Sequence, residues 1–453
     1  MKKQDMMISG SLWKGILLFS LPLMASNLLQ VLFNISDIAV VGHFAGSKTL
    51  GEVGSTTTLV TLFLGIVLGL GNGVNVWVAR YLGSKEDEMV SKTIHTAFII
   101  CLSAGVLLSV VGILITNPLL ELLNTKDSLI DGAASYLKIY LLAMPALALY
   151  NFGNATYSAY GNTKSPLIIL SLSGLLNVVL NIIFVVAFNL DVVGVSLASV
   201  ISSYLSAAII LLFLFKEKGK IRINLKNLKI DYNIANKILS VGIPASLQYA
   251  TFAVANLFIQ SGVNSFDDVF VEGNSAAANA DSLVYDIMAS FYVASSSFIS
   301  QNFGAGNKDR IKKTYLITTI YSFGIGLILG LLLVFFGKYF LIIFTLDKEV
   351  INEGYKRLFI MGLCYAFSAL MDNTTASCRG LGKTLFPSIA ILITSCLFRM
   401  IWVYTIFKIF NTIESLYLVY IFSWLLSALL EIPYFIYIYK KSTKNINNNM
   451  LLQ

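Results

Sequence analysis

Charge is scarce in this chain: only 12% of its 453 residues are Asp, Glu, Lys or Arg, against roughly a quarter in soluble domains. That deficit, with 57% hydrophobic residues and a mean hydropathy of +0.77, excludes a water-soluble globular protein and makes lipid the natural solvent. Histidine occurs only as His43 and His95, both near predicted loops, and no nucleophile–base or metal motif accompanies either. An enzyme is therefore not expected. The four cysteines, Cys101, Cys364, Cys378 and Cys396, fall inside apolar stretches without ligand-like spacing, which excludes a disulfide framework and a zinc site. The net charge of +8 is spread over short loops rather than gathered in a patch, so no nucleic acid partner and no cofactor are expected.

Long apolar runs fill the chain instead. They predict helices near 14–42, 55–79, 94–117, 133–158, 166–188 and 192–215, then 238–264, 274–301, 315–344, 355–378, 386–410 and 415–439. Met1 to Trp13, with Lys2 and Lys3, leads into an uncleaved first helix, because the apolar run is too long for a signal peptide and lacks a cleavage site. With twelve spans, odd and even loops lie on opposite sides. The side of the amino terminus then holds 23 of the 32 Lys and Arg residues, which predicts a multi-pass cell-membrane protein with both termini cytoplasmic.

The chain also repeats itself. ARYLGSKEDEMVSK from Ala79 parallels SQNFGAGNKDRIKK from Ser300, placing Gly83 and Gly304 221 residues apart. NATYSAYGNTK from Asn154 parallels NTTASCRGLGK from Asn373 at an offset of 219, and Pro22 and Pro244 are 222 apart. A duplicated unit of six helices returns the chain to its starting side, so the two copies must be parallel, related by an axis along the membrane normal. The expected organisation is an amino-terminal six-helix lobe over 1–215, a basic cytoplasmic linker over 216–237 and a carboxy-terminal six-helix lobe over 238–453. Such repeats are a transporter architecture, with the substrate path at the repeat interface.

Polar residues inside the spans are the candidate machinery. Asn27, Gln30, Asn34 and Asp37 share one face of the first helix, and an intramembrane carboxylate is a functional candidate by default. Asn177 and Asn181 stand four apart on the fifth helix, and Ser199 on the sixth adds a hydroxyl. One carboxylate with neutral oxygens suits a proton or a hard monovalent cation; plain interhelical hydrogen bonding is the alternative. In the second half, Gln248, Asn256 and Gln260 share a face of the seventh helix, Asp281 lies one turn before Tyr285, and Asp372 is a further acid. Arg399 stands ready to neutralise one of these acids. Gly65, Gly69, Gly71 and Gly73 indicate close helix packing.

These landmarks together resemble the multidrug and toxic compound extrusion (MATE) transporters over nearly the whole length. The resemblance rests on Pro22 followed by Asp37 and Gly42, the turns YGNTKSP from Tyr160 and RGLGKTLFP from Arg379, QNFGAGNKDR from Gln301, and LNVVLN from Leu176 leading to GVSLAS from Gly194. With IPASLQ from Ile243, Asp281 and Tyr285, it is nearest the bacterial DinF-type and YoeA-like branch.

The resemblance implies an all-α membrane protein of twelve transmembrane helices in two lobes that form a V. It would be a monomer exporting amphipathic, often cationic small molecules, including drugs, against a proton or sodium gradient. It further implies a cation or proton site at Asp37, Asn177, Asn181 and Ser199, to which Asn34 is joined by its place on the Asp37 face; the other intramembrane polar residues, Gln30, Gln248, Asn256, Gln260, Asp281, Tyr285 and Asp372, are the candidates for lining the substrate cavity. This chain has Asn181 where relatives often carry Asp, and Ser199 where they carry Thr. A flippase for lipid-linked saccharides on the same frame is the alternative function.

Overall fold

The computed structural model describes residues 3–450, with side chains from Met6 to Lys444 except Ile35, Ile38, Ala39 and Ser47. Lys2 of the charge tally lies outside the described residues, as does the side chain of Lys3. All twelve predicted helices form. They are α1 (Leu12–Val40), α2 (Gly46–Ser84), α3 (Asp87–Leu122), α4 (Asp127–Leu141 with Met144–Ala159), α5 (Lys164–Ile182) and α6 (Asp191–Lys216). The second half has α7 (Tyr232–Val263), α8 (Asp268–Gly304), α9 (Lys308–Ile342), α10 (Lys348–Gly380), α11 (Leu385–Ile391 continuing to Phe410) and α12 (Ile413–Tyr417 with Val419–Met450). A short helix, Lys3–Ile8, precedes α1.

Ten of these are long and apolar enough to cross a membrane, and α4 is an eleventh if its two pieces, bent by 46°, count as one span. The twelfth, α10, carries Glu353, Lys356, Arg357, Asp372 and Arg379 and is too polar for that criterion. Glycine explains how α10 nevertheless packs among its neighbours. A Cβ at Gly330 of α9 would sit 2.0 Å from the Gly362 carbonyl of α10, and one at Gly273 of α8 would sit 2.6 Å from the Gly354 amide. The backbones touch there, and the polar side chains project between helices rather than into lipid.

The contacts divide the chain into two units, one of Met1–Met24 with Ala250–Gln453 and one of Ala25–Tyr249. The division cuts α1 and α7, each a few residues after a helix-interior proline, Pro22 and Pro244. In the first unit, the start of α1 packs on α8, with the Phe19 and Phe298 rings 5.5 Å apart, edge to face. In the second, the start of α7 lies on the glycine face of α2, where a Cβ at Gly69 would meet Ser246 at 2.3 Å and one at Gly73 the Ile238 carbonyl at 2.4 Å.

The segment that leads into each of these helices is also tied down. Arg310 donates to the carbonyls of Gly10 (2.9 Å) and Met7 (3.1 Å), ahead of α1. Ahead of α7, the amide of Asn224 donates to His95 Nε2 (3.0 Å) and that of Asp231 to Thr96 Oγ1 (3.1 Å). Part of the basic segment after α6 is therefore docked on its own unit.

The repeat is visible in the turns, with one correction of register. Gly161 (φ 84°) and Gly382 (φ 75°) are the left-handed residues after α4 and α10, and they stand 221 apart, as do Pro166 and Pro387. The offset of 219 read from matched letters aligned Gly161 with Gly380, which is helical. A left-handed turn position favours glycine for steric reasons, so the backbone identifies the equivalent residue where letter matching chose the wrong glycine.

Candidate coupling and substrate sites

In the amino-terminal unit, α1, α5 and α6 bring a chain of polar groups together. Asn181 Nδ2 donates in a short hydrogen bond to Asp37 Oδ1 and, at 3.4 Å, to Asn177 Oδ1; Asn177 Nδ2 reaches Ser199 Oγ at 3.5 Å. The spacing of 177 and 181 puts both amides on the face of α5 that meets α1 and α6. A π-helical stretch, Ile183–Ala187, follows directly, and such stretches re-aim side chains at functional sites. Asn181 is fully buried, and its Oδ1 has no hydrogen-bond partner among the described residues.

No ammonium or guanidinium lies within ion-pair distance of Asp37 among the described residues. Val40, Val41, Val185, Val192, Val195 and Tyr136 form an apolar cluster alongside. Tyr136 and Tyr140 of α4, stacked at 5.9 Å, lie within electrostatic reach of Asp37 and were not expected there. Their only sequence signal is the i,i+4 pair in YLKIY. Gln30 and Asn34 are exposed, and no bond joins them to the cluster among the described residues.

The carboxy-terminal unit has the opposite electrostatics. Asp281 of α8 is ion-paired with Arg357 of α10 and accepts a short bond from Tyr365. Arg357 Nη1 donates to Asn274 Oδ1 (2.7 Å), which also accepts from Tyr417 (3.2 Å). Asn274 donates to Gln260 (3.2 Å), and Gln260 to Asn264 (2.7 Å). Tyr285, expected beside Asp281, is exposed, and its ring faces Tyr292 at 6.3 Å; Tyr365 supplies the phenol instead.

Arg357, which stands near the predicted start of its helix at 355, is only 5% exposed. The missed partners did leave a pattern, because Asn274 and Asp281 are seven apart on α8, and Arg357 and Tyr365 eight apart on α10. Each pair therefore shares a face.

Arg399 of α11 is fully buried just after a π-helical stretch, Leu392–Leu397. It does not neutralise an acid directly. Its Nε donates to Ser423 (3.2 Å), its Nη1 to Asn256 (3.1 Å), and its plane lies over Tyr420 at 4.5 Å. Asp372 feels Arg379 and Arg399 only beyond ion-pair distance. Glu431 of α12, fully buried, accepts from Thr375 at 2.6 Å. Gln248 is buried in the part of α7 that belongs to the amino-terminal unit, apart from Asn256 and Gln260.

The comparisons with known proteins agree with this architecture. The chain is 25% identical to the probable multidrug resistance protein YoeA of Bacillus subtilis, over 84% of this chain and 83% of that one. It is 26% identical to the probable multidrug resistance protein YpnP of the same organism, over 79% and 80%. A multidrug resistance MATE family transporter of the MOP superfamily, solved in an outward-facing conformation, superposes with a TM-score of 0.91 at 20% identity, covering 98% of this chain and 99% of that one. The MatE family model matches twice, over residues 22–183 and 244–405, so that each match begins at one of the paired prolines. On this double match and this fold, the chain belongs to the MATE family.

Proposed function

We propose that the chain is a secondary antiporter of the cell membrane, with both termini cytoplasmic. It exports amphipathic, cationic drugs or metabolites in exchange for protons, and Asp37 carries the coupling proton. The observation that carries this reading is the company Asp37 keeps: a carboxylate at membrane depth whose one hydrogen bond among the described residues comes from the neutral amide of Asn181, a buried residue whose own Oδ1 is an orphan there. Protonation removes a charge that is costly in such a place and provides an O–H that the orphan carbonyl can accept. It is a local change of charge of the kind that biases a two-state element.

Sodium would want more than one carboxylate or a full shell of oxygens, and Asn181 offers an amide where relatives often have an acid. The names of YoeA and YpnP support drugs as the exported class.

The experiment uses purified protein in liposomes loaded with a fluorescent amphipathic cation. An imposed pH gradient should drive dye movement, and a sodium gradient of equal size should not. Dye movement driven by sodium alone would overturn proton coupling. No movement of any compound in a broad cationic panel, with correctly inserted protein, would overturn drug export.

A further inference from the structure

Arg399 is a permanent cation buried inside the carboxy-terminal unit, and among the described residues no carboxylate lies within ion-pair distance of it. A guanidinium does not deprotonate in proteins, and a buried charge is stable only when paired or fully hydrogen-bonded. The two bonds to Ser423 and Asn256 leave three of its five donors without an acceptor. The nearest fixed charge across the Tyr420 ring is another cation, since Arg357 lies over the same ring at 5.3 Å and Arg399 at 4.5 Å.

Between them the two guanidiniums have one carboxylate at ion-pair distance, Asp281, and it belongs to Arg357. Arg357 also keeps a buried Nε with no acceptor. At ion-pair distance the two guanidiniums are thus short of one carboxylate, Asp372 acting on Arg399 only from farther away. The site is also reachable, because Asn256, whose side-chain oxygen takes the Nη1 bond, is itself exposed on the unit's surface. A polar amide backed by a cation is not a lipid-facing surface.

We propose that Arg399, fronted by Asn256, binds a monovalent anionic group, either a carboxylate on the transported compound or chloride. A carboxylate fits the fork of a guanidinium edge, and the Asn256 amide adds a donor. Where the anion belongs to the cargo, this deepens the export reading: the preferred compounds would be cations that also carry an acid.

The test reads equilibrium binding to the purified full-length chain, so it does not depend on coupling or export. The probes are rhodamine 19, a cationic dye with a free carboxylate, and its ethyl ester, rhodamine 6G, followed by fluorescence anisotropy. Chloride is titrated separately against gluconate, followed by tryptophan emission. The wild type should bind the acid at least tenfold more tightly than the ester, or respond saturably to chloride. Acid preference assigns the site to cargo, and a chloride response alone assigns it to the free ion.

Arg399→Gln should abolish whichever response is seen, and Arg399→Lys should retain most of it. Because Arg399→Gln alters a buried position, Asn256→Asp provides the second variant. It places a carboxylate at an exposed position against Arg399, and should abolish the response while leaving thermal stability equal or higher. A wild type that neither discriminates acid from ester nor responds to chloride overturns the proposal. So does a response that survives both Arg399→Gln and Asn256→Asp. If binding behaves as described but no gradient drives the dyes, the export reading fails and the anion site stands.

Discussion

Each unit holds an aspartate in a buried polar network, and the two are treated in opposite ways. Among the described residues Asp37 is bonded by one neutral amide, that of Asn181, whereas Asp281 is clamped between a guanidinium and a phenol. A carboxylate with neutral partners changes charge at little structural cost, and one locked to arginine cannot lose its charge without stranding a buried cation. The comparison assigns change to the amino-terminal unit and fixed charge to the carboxy-terminal one.

The sharpest way to break it is Asp37→Asn, a near-isosteric change that fixes the neutral form. Gradient-driven transport in proteoliposomes should fall to background. The thermal midpoint should move little, because the Asn181 bond loses its charge assistance but not its geometry, a loss of about 1 kcal/mol. Wild-type transport by the variant would remove Asp37 from the coupling role and leave Asp372 or Glu431 as the next acids to test.

The clamp makes the opposite prediction for the second aspartate. Sequence alone suggested that Asp281→Asn would alter substrate preference more than protein level. The ion pair reverses that order. Either Asp281→Asn or Arg357→Met leaves one buried charge alone and should destabilise the protein by about 3–5 kcal/mol, while the double variant recovers much of the loss. Melting of all three in detergent checks this. Additive losses in the double variant would show that the pair is not coupled.

A smaller effect sharpens the ion assignment. Asn181→Asp adds a second acid and places it against Asp37. Two carboxylates at one site cannot both stay ionised without a cation. The variant should therefore acquire sodium-dependent transport that the parent lacks, read as a several-fold rise in dye movement when sodium replaces choline. Equal rates in both salts would count against Asn181 as the residue that excludes sodium.

How much of this was legible in the sequence follows from what each interaction spans. Helices announce themselves by local hydropathy, and all twelve were found, including α10, whose charges defeat a purely apolar criterion. The chain from Asp37 through Asn181 and Asn177 to Ser199 was nameable because two members share one helix face and the resemblance linked the rest. The Asp281–Arg357–Tyr365 clamp was not, since it depends on the register of α8 against α10. That register is set by glycine contacts such as Gly273 with Gly354, and no single-helix period encodes it. The same limit hid Tyr136 and Tyr140, and it left open which acid Arg399 would meet, where the structure gives it Ser423 and Asn256 instead.

The weakest contrast between the units lies in how each holds the segment leading into α1 or α7. Arg310 grips the segment before α1 through two backbone carbonyls and is itself held by Asn302 at 3.0 Å. The segment before α7 depends on a neutral imidazole: His95 Nδ1 lies 2.6 Å from the Ser91 carbonyl, which assigns the proton to Nδ1 and leaves Nε2 to accept from Asn224. Charge-assisted bonds are worth roughly twice neutral ones. His95→Leu therefore removes one neutral bond to the segment, together with the Nδ1 bond to the Ser91 carbonyl within its own helix; because Asn224 is exposed, water takes over its amide, and the loss at the segment is about 0.5–1.5 kcal/mol. Local opening should rise about fivefold, seen as faster tryptic cleavage at the exposed Arg222 and Lys226 while the global melting point holds. Arg310→Met should loosen its own segment more, because three charged donors go at once. If His95→Leu cuts no faster than the parent, the Asn224 bond contributes nothing, and the Thr96–Asp231 bond, the Lys220–Asp87 ion pair and the buried Ile221 and Ile223 hold the segment down.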